Sequence, residues 1–108
     1  MTRAVAIAAE TVGSTAIFTL LSRIPPGLRS SPHIHTECEA SIYVVSGLGR
    51  MLTGTKLDRA LAFQPGDFLF VPPGAPHTVV NDGDEDLVLV VSRNTAEERV
   101  EDYVSPPA

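Results

Sequence analysis

GDFLFVPPGAPHTVVN, residues Gly66 to Asn81, is the stretch on which the reading of this chain turns. DFLFV and HTVVN are rich in aromatic and β-branched residues, the composition of strands. Between them PPGAP is a turn, and Pro72, Pro73, Gly74 and Pro76 hold it stiff, so the imidazole of His77 enters its strand in a fixed direction. Taken alone, a histidine beside a proline turn reads as an ordinary edge residue satisfied by its neighbours.

The other two histidines stand upstream, in SPHIHTECEASIYVVSG, residues Ser31 to Gly47. Residues i and i+2 of a strand share a face, so His33 and His35 would lie together there, beside Glu37 and Glu39. Neutral imidazoles with a nearby carboxylate are what a divalent transition metal binds. All three histidines of the chain therefore follow turns and head short apolar runs.

Outward from these stretches the chain keeps one pattern. AIFTLLSRI (Ala16 to Ile24), SIYVV (Ser41 to Val45), RMLTG (Arg50 to Gly54), DFLFV, HTVVN and DLVLVVS (Asp86 to Ser92) are separated by PPG, GLG, QPGD, PPGAP and NDGDED. Many short strands punctuated by turns indicate an all-β barrel or sandwich. Helical signal is confined to TAEERVEDY (Thr95 to Tyr103), where Thr95 and Glu98 have capping-box spacing, so that stretch reads as a short C-terminal helix or a solvated tail.

At 108 residues the chain is the size of one domain, and its net charge of -5 with scattered Lys and Arg gives no footprint for nucleic acid. No apolar run is long enough to span a membrane. AVAIAA (Ala4 to Ala9) is cut short by Glu10 and lacks the form of a signal peptide. The single cysteine, Cys38, allows no internal disulfide; it reads as a small buried hydrophobe, and the expected location is the cytoplasm.

The two histidine stretches resemble the two motifs of the cupin superfamily. The first motif is Gly, five residues, His-x-His, three or four residues, Glu, six residues, Gly; here it runs Gly27, LRSSP, His33-Ile34-His35, TEC, Glu39, ASIYVVS, Gly47. The second is Gly, five residues, Pro-x-Gly, two residues, His, three residues, Asn; Gly66, DFLFV, Pro72-Pro73-Gly74, AP, His77, TVV and Asn81 match it without departure. The resemblance covers about residues 15–92 and implies a small single-domain cupin spanning 1–108, a β-barrel or double-stranded β-helix (jelly roll), with a tail over 93–108.

It also implies a divalent metal, Fe, Mn, Ni, Cu or Zn, held by His33, His35, Glu39 and His77. The departure lies after Glu39, where seven residues precede Gly47 instead of six. Counting back from Gly47 puts Ala40 in the ligand position, whereas counting forward from His35 puts Glu39 there. Parity along a regular strand favours Glu39, with Glu37 in reserve and a bulge near Ala40 or Ser41 absorbing the extra residue.

For function three readings stand. One is a metalloenzyme acting on a small, largely apolar organic substrate, with dioxygenase-like oxygen activation favoured because no paired carboxylates are available for proton shuttling. Metal-dependent isomerisation or decarboxylation is its variant. The others are a non-catalytic small-molecule binding cupin and an assembly or sensory unit. No catalytic residue is assigned; Tyr43, Phe63, Phe68 and Phe70 read as core, Asn81 as a residue that pins a turn, and the acidic run Asp82 to Asp86 as a solvated hairpin turn. A homodimer is expected, with Ala4 to Ala9 as a docked or exchanged edge strand.

Overall fold

Strands follow the alternation of the sequence. The computed structural model describes residues 1–35, 37–97 and 100–104, and among them ten strands and one short helix are formed. In chain order they are β1 (Thr2–Ile7), α1 (Ala9–Val12), β2 (Phe18–Ile24), β3 (His33–His35), β4 (Ala40–Ser46), β5 (Gly49–Thr53), β6 (Arg59–Phe63), β7 (Phe68–Val71), β8 (His77–Asn81), β9 (Leu87–Arg93) and β10 (Val100–Asp102). Two five-stranded antiparallel sheets result, ordered β1-β2-β9-β4-β7 and β10-β3-β8-β5-β6.

The inner faces of both sheets make one core. From the first sheet Phe18, Leu20 and Ile24 of β2, Ile42 and Val44 of β4, and Leu87, Leu89 and Val91 of β9 point inward. Met51, Phe63 and Val79 meet them from the second. This is the double-stranded β-helix expected from the sequence, closed by packing sheet on sheet.

Turn chemistry fixes the register. Gly47 sits at φ +93°, and a Cβ there would come within 2.8 Å of Asp86 O and Leu87 Cα, so glycine is required by both conformation and space. Asn81 does pin a turn: its Nδ2 donates to Ile24 O and Glu85 O at 2.8 Å, while its Oδ1 accepts from Gly83 N–H at 2.8 Å. The β8–β9 connection it organises carries the acidic run, where Asp82 pairs with Arg50 at 3.0 Å.

Several expectations are corrected. Thr95 to Glu97 are bends and Val100–Asp102 is a strand that pairs with β3, so the described part of the stretch contains no helix; Glu98 lies outside the described residues. Fixing a strand against β3 overrides the weak capping signal. The one helix is α1, a single turn ended by Gly13 at φ 74°. Phe63 is core, but Phe68 and Phe70 are 72% and 61% exposed and Tyr43 is 37% exposed. Only Leu69 and Val71 of β7 turn toward the core, and the aromatic residues alternating with them fall on the outer face. The N-terminal segment forms β1 against its own β2, with Thr2 opposite Arg23.

Candidate metal centre

The stiff PPGAP turn and the short strand β3 bring the three histidines together. β3 and β8 run antiparallel with His33 directly opposite His77, and His35 lies two residues along on the same face as His33. Gly74 N–H donates to His35 O at 2.8 Å, so the turn of the second motif is tied to the strand of the first. Ring centroids are 4.2 Å apart for His33 and His77, 5.0 Å for His33 and His35, and 5.1 Å for His35 and His77. One ring nitrogen from each residue lies within 4.8 Å of the others.

Backbone carbonyls orient two of the rings. His33 Nδ1–H donates to Ser31 O at 2.7 Å and His77 Nδ1–H to Ala75 O at 3.0 Å. A carbonyl can only accept, so each ring carries its proton on Nδ1 and presents the lone pair of Nε2, the arrangement that second-sphere hydrogen bonds give to metal-binding histidines. Burial, followed by the neighbouring His33, lowers the His77 pKa from its usual 6.5 to about 4. His77 is therefore neutral at physiological pH, as a ligand must be. Ser30 and Thr78, both buried, lock the segment before β3 onto β8 through paired hydroxyls and through Val79 N–H to Ser30 Oγ at 2.8 Å.

Glu39 is not brought into this group. β3 ends at His35, Glu37 lies in a bend, and β4 begins only at Ala40, so no regular strand carries the parity of His35 forward to Glu39. Along β4 the inward residues are Ala40, Ile42 and Val44, at 2%, 3% and 0% exposure, and Glu39 falls on the opposite side. Its N–H donates to Asn94 Oδ1 at 2.9 Å, and the residue lines a shallow outer groove with Ser41, Phe70 and Ser92. Ala40 lines both that groove and the histidine pocket, whereas Glu39 lines the groove alone. The irregularity in β4 falls between Val44 and Ser46, beyond the position at which it was expected. Glu37 is exposed.

The pocket has a volume of about 200 Å³, with walls formed by Leu20, Ile42, Val79, Leu89 and Val91 around the three imidazoles. Arg93 also lines it, a residue that sequence reasoning passed over. The available signal was parity: Leu87, Leu89, Val91 and Arg93 share one face of β9. Arg93 is 6% exposed, and its guanidinium carbon lies 5.4 Å from the centre of the Phe18 ring. Cys38 is buried, and burial raises its thiol pKa, in keeping with a small buried hydrophobe.

The cupin-domain family profile matches residues 20–93, which include both histidine stretches. The chain belongs to the cupin family. A double-stranded β-helix protein from Klebsiella pneumoniae shares the fold at TM-score 0.83 and 18% identity, covering 95% of this chain and 84% of the other. Oxalate decarboxylase of Bacillus subtilis, studied for its Mn(II) centres, superposes at TM-score 0.84 with 26% identity over 93% of this chain. A candidate sugar phosphate isomerase from Acidithiobacillus ferrooxidans gives 0.72 and 30% over 92% of this chain. The cupin chain spans 27% of the decarboxylase and 64% of the isomerase. No curated protein matches it in sequence. Among the described residues, no helix is long and apolar enough to cross a membrane.

The donor set fits a divalent transition metal. Three imidazole nitrogens lie in reach of one another, and two of the three rings have Nδ1 committed elsewhere. Nitrogen donors alone suit the later transition metals and leave coordination positions free.

Proposed function

We propose that this cupin is a metal-dependent enzyme acting on a small organic molecule held in its barrel, with His33, His35 and His77 as the protein ligands. The observation that carries the reading is the convergence of three ring nitrogens in a pocket of about 200 Å³. That volume lies below the range of about 300–1,000 Å³ typical of drug-sized ligands, which favours a substrate of few atoms. Bound there, a divalent metal would supply Lewis acidity and, for Fe, Mn, Ni or Cu, redox chemistry.

The chain's own residues bind, orient and shield. Leu20, Ile42, Val79 and Leu89 give the histidines apolar surroundings, and the Ser31 and Ala75 carbonyls hold two rings in direction. Among the described residues no Asp or Glu is buried, which disfavours proton shuttling between paired carboxylates and supports dioxygenase-like oxidation. Decarboxylation is the second reading, favoured by the 26% identity to the Bacillus subtilis oxalate decarboxylase.

Metal analysis of protein purified without chelator, followed by oxygen uptake with a panel of small organic acids and alcohols, tests the reading. Stoichiometric divalent metal and substrate-dependent oxygen consumption are expected. Release of carbon dioxide without oxygen consumption would select decarboxylation, and absence of bound metal after reconstitution would remove both readings.

The chain is further proposed to form a homodimer. Phe68, Phe70, Tyr43 and Val45 are exposed, and the Tyr43 and Phe68 rings contact each other at a tilt of 47°, their centroids 4.8 Å apart, on the outer face of β4 and β7. Sedimentation at micromolar concentration is expected to give twice the 11.5 kDa chain mass; the monomer mass would exclude the dimer.

A further inference from the structure

We propose that Ser22 is a binding residue of this pocket, and that the molecule held there carries a hydroxyl or carbonyl oxygen for it, separate from the group that meets the histidines. The inference rests on the proposed function and names the substrate class of that site: a short organic molecule with two oxygenated ends.

The inward positions of β2 are Phe18, Leu20, Ser22 and Ile24, so a single hydroxyl interrupts an otherwise apolar row. Ser22 is 7% exposed and lines the histidine pocket. Its neighbours in register are Arg3 on β1 and Leu89 on β9. Leu89 has no polar side-chain atom to offer, and among the described residues Ser22 Oγ forms no hydrogen bond, to Arg3 or to any other group.

Ser30, equally buried and lining the same pocket, shows the alternative. Its Oγ accepts from Val79 N–H at 2.8 Å and meets Thr78 Oγ1 at 3.3 Å, so the fold itself occupies that hydroxyl. Buried hydroxyls are normally paired in this way. One left without a protein partner on the wall of a cavity is open to whatever fills the cavity.

Ser22 belongs to the sheet that faces the one carrying β3 and β8. A molecule of few atoms in about 200 Å³ therefore has the imidazoles on one side and the Ser22 hydroxyl on the other, with Leu20, Leu89 and Val91 around its carbon body. A hydroxyl both donates and accepts, so a hydroxyl or a carbonyl oxygen satisfies it. A methyl group in the same place leaves it unpaired.

Propane-1,3-diol and butan-1-ol have the same number of heavy atoms and differ by a hydroxyl in place of a methyl. Their affinities are measured by NMR titration on the zinc-reconstituted and the metal-free protein, read on the Leu20 and Leu89 methyl groups. Ser22→Ala is expected to shift the ratio of the two affinities at least ~5-fold toward butan-1-ol, and Ser22→Thr, which keeps a hydroxyl, to restore most of the wild-type ratio. Because Ser22 Oγ is bonded to nothing in the protein, Ser22→Ala should leave the thermal midpoint unchanged or raise it.

A ratio in Ser22→Ala within about twofold of wild type overturns the inference, as does a lack of detectable diol binding to wild type. A fall in midpoint of more than ~4 °C in Ser22→Ala would make the hydroxyl structural and overturns it too. Zinc stoichiometry reports separately on the metal site. If zinc does not bind, the proposed function fails, while the ratio in the metal-free protein still decides the role of Ser22.

Discussion

The two histidine stretches meet in one pocket, yet they reach it differently. From Gly66 to Asn81 every motif position has the role its residue type suggests: the Pro72-Pro73-Gly74 turn aims His77, and Asn81 pins the following turn. From Gly27 to Gly47 the two histidines fall into place, but the strand breaks after His35 and restarts at Ala40. A stiff turn transmits register because few backbone conformations are open to it. A bend such as that at Glu37 does not, and counting residues across it loses the face of the strand.

The largest effect that tests this comparison is loss of the imidazoles from both stretches. His33→Ala, His35→Ala and His77→Ala should each weaken metal binding by more than the ~10–100-fold typical of second-sphere changes, and the triple variant should retain none. Circular dichroism should still show a β-rich fold, since the core of Phe18, Leu20, Ile42, Val44 and Leu89 does not include them. Wild-type metal stoichiometry in the triple variant would disprove the site.

A second test concerns pH and the second stretch alone. His77 titrates near 4 in the folded chain against 6.5 when unperturbed, so between these values the unfolded state binds more protons. The stability contribution of keeping His77 neutral is thus fully present above pH 6.5 and is lost as pH falls toward about 4. The shift corresponds to roughly 3 kcal/mol at most in the metal-free protein. Urea unfolding at pH 7.5 and pH 5 should show this loss in wild type, and a smaller one in His77→Gln. Equal losses in the two proteins would place the pH dependence elsewhere.

The glycines sharpen the same contrast. Both Gly47 and Gly66 have φ +93°, but a Cβ at Gly47 meets Asp86 O and Leu87 Cα at 2.8 Å, whereas one at Gly66 has nothing within 4 Å. Gly66→Ala carries only the backbone strain of about 1–3 kcal/mol. Gly47→Ala adds a steric clash and should be the more destabilising of the two by thermal unfolding. The reverse order would mean that the β4–β5 turn relaxes where the β6–β7 turn does not.

Much of the fold was legible because strand-forming composition and turn residues agree over β2, β4, β5, β7, β8 and β9. The remaining elements were harder for physical reasons. In β6, residues Arg59 to Ala62 are all exposed, so no inward periodicity marks the strand. β10 is three residues long and is held by pairing with β3, a partner distant in sequence. At the site, the histidines were readable from spacing, while Arg93 was marked only by its parity with Leu87, Leu89 and Val91 and was placed in the pocket by the pairing of β9 with β4. The exposed Phe68 and Phe70 show the limit of composition: aromatic residues predict a strand, but the identity of the buried face depends on which neighbours it meets.

The smallest expected effect is the most informative about the first stretch. Glu39→Ala should leave metal content and metal preference unchanged within about twofold, because Glu39 is exposed, its N–H is held by Asn94, and Ala40 occupies the inward position. Such neutrality is the usual result for an exposed side chain away from a binding site. Were Glu39 a ligand, its removal would eliminate the sole carboxylate from the coordination sphere and lower affinity for Mn and Fe more than for Cu, since oxygen donors favour the harder ions. Metal competition among Mn, Fe and Cu on wild type, Glu37→Ala and Glu39→Ala separates the alternatives. Three coincident profiles identify a three-histidine centre, and a selective loss of Mn and Fe in Glu39→Ala would show that β4 starts earlier and with the opposite parity when metal binds.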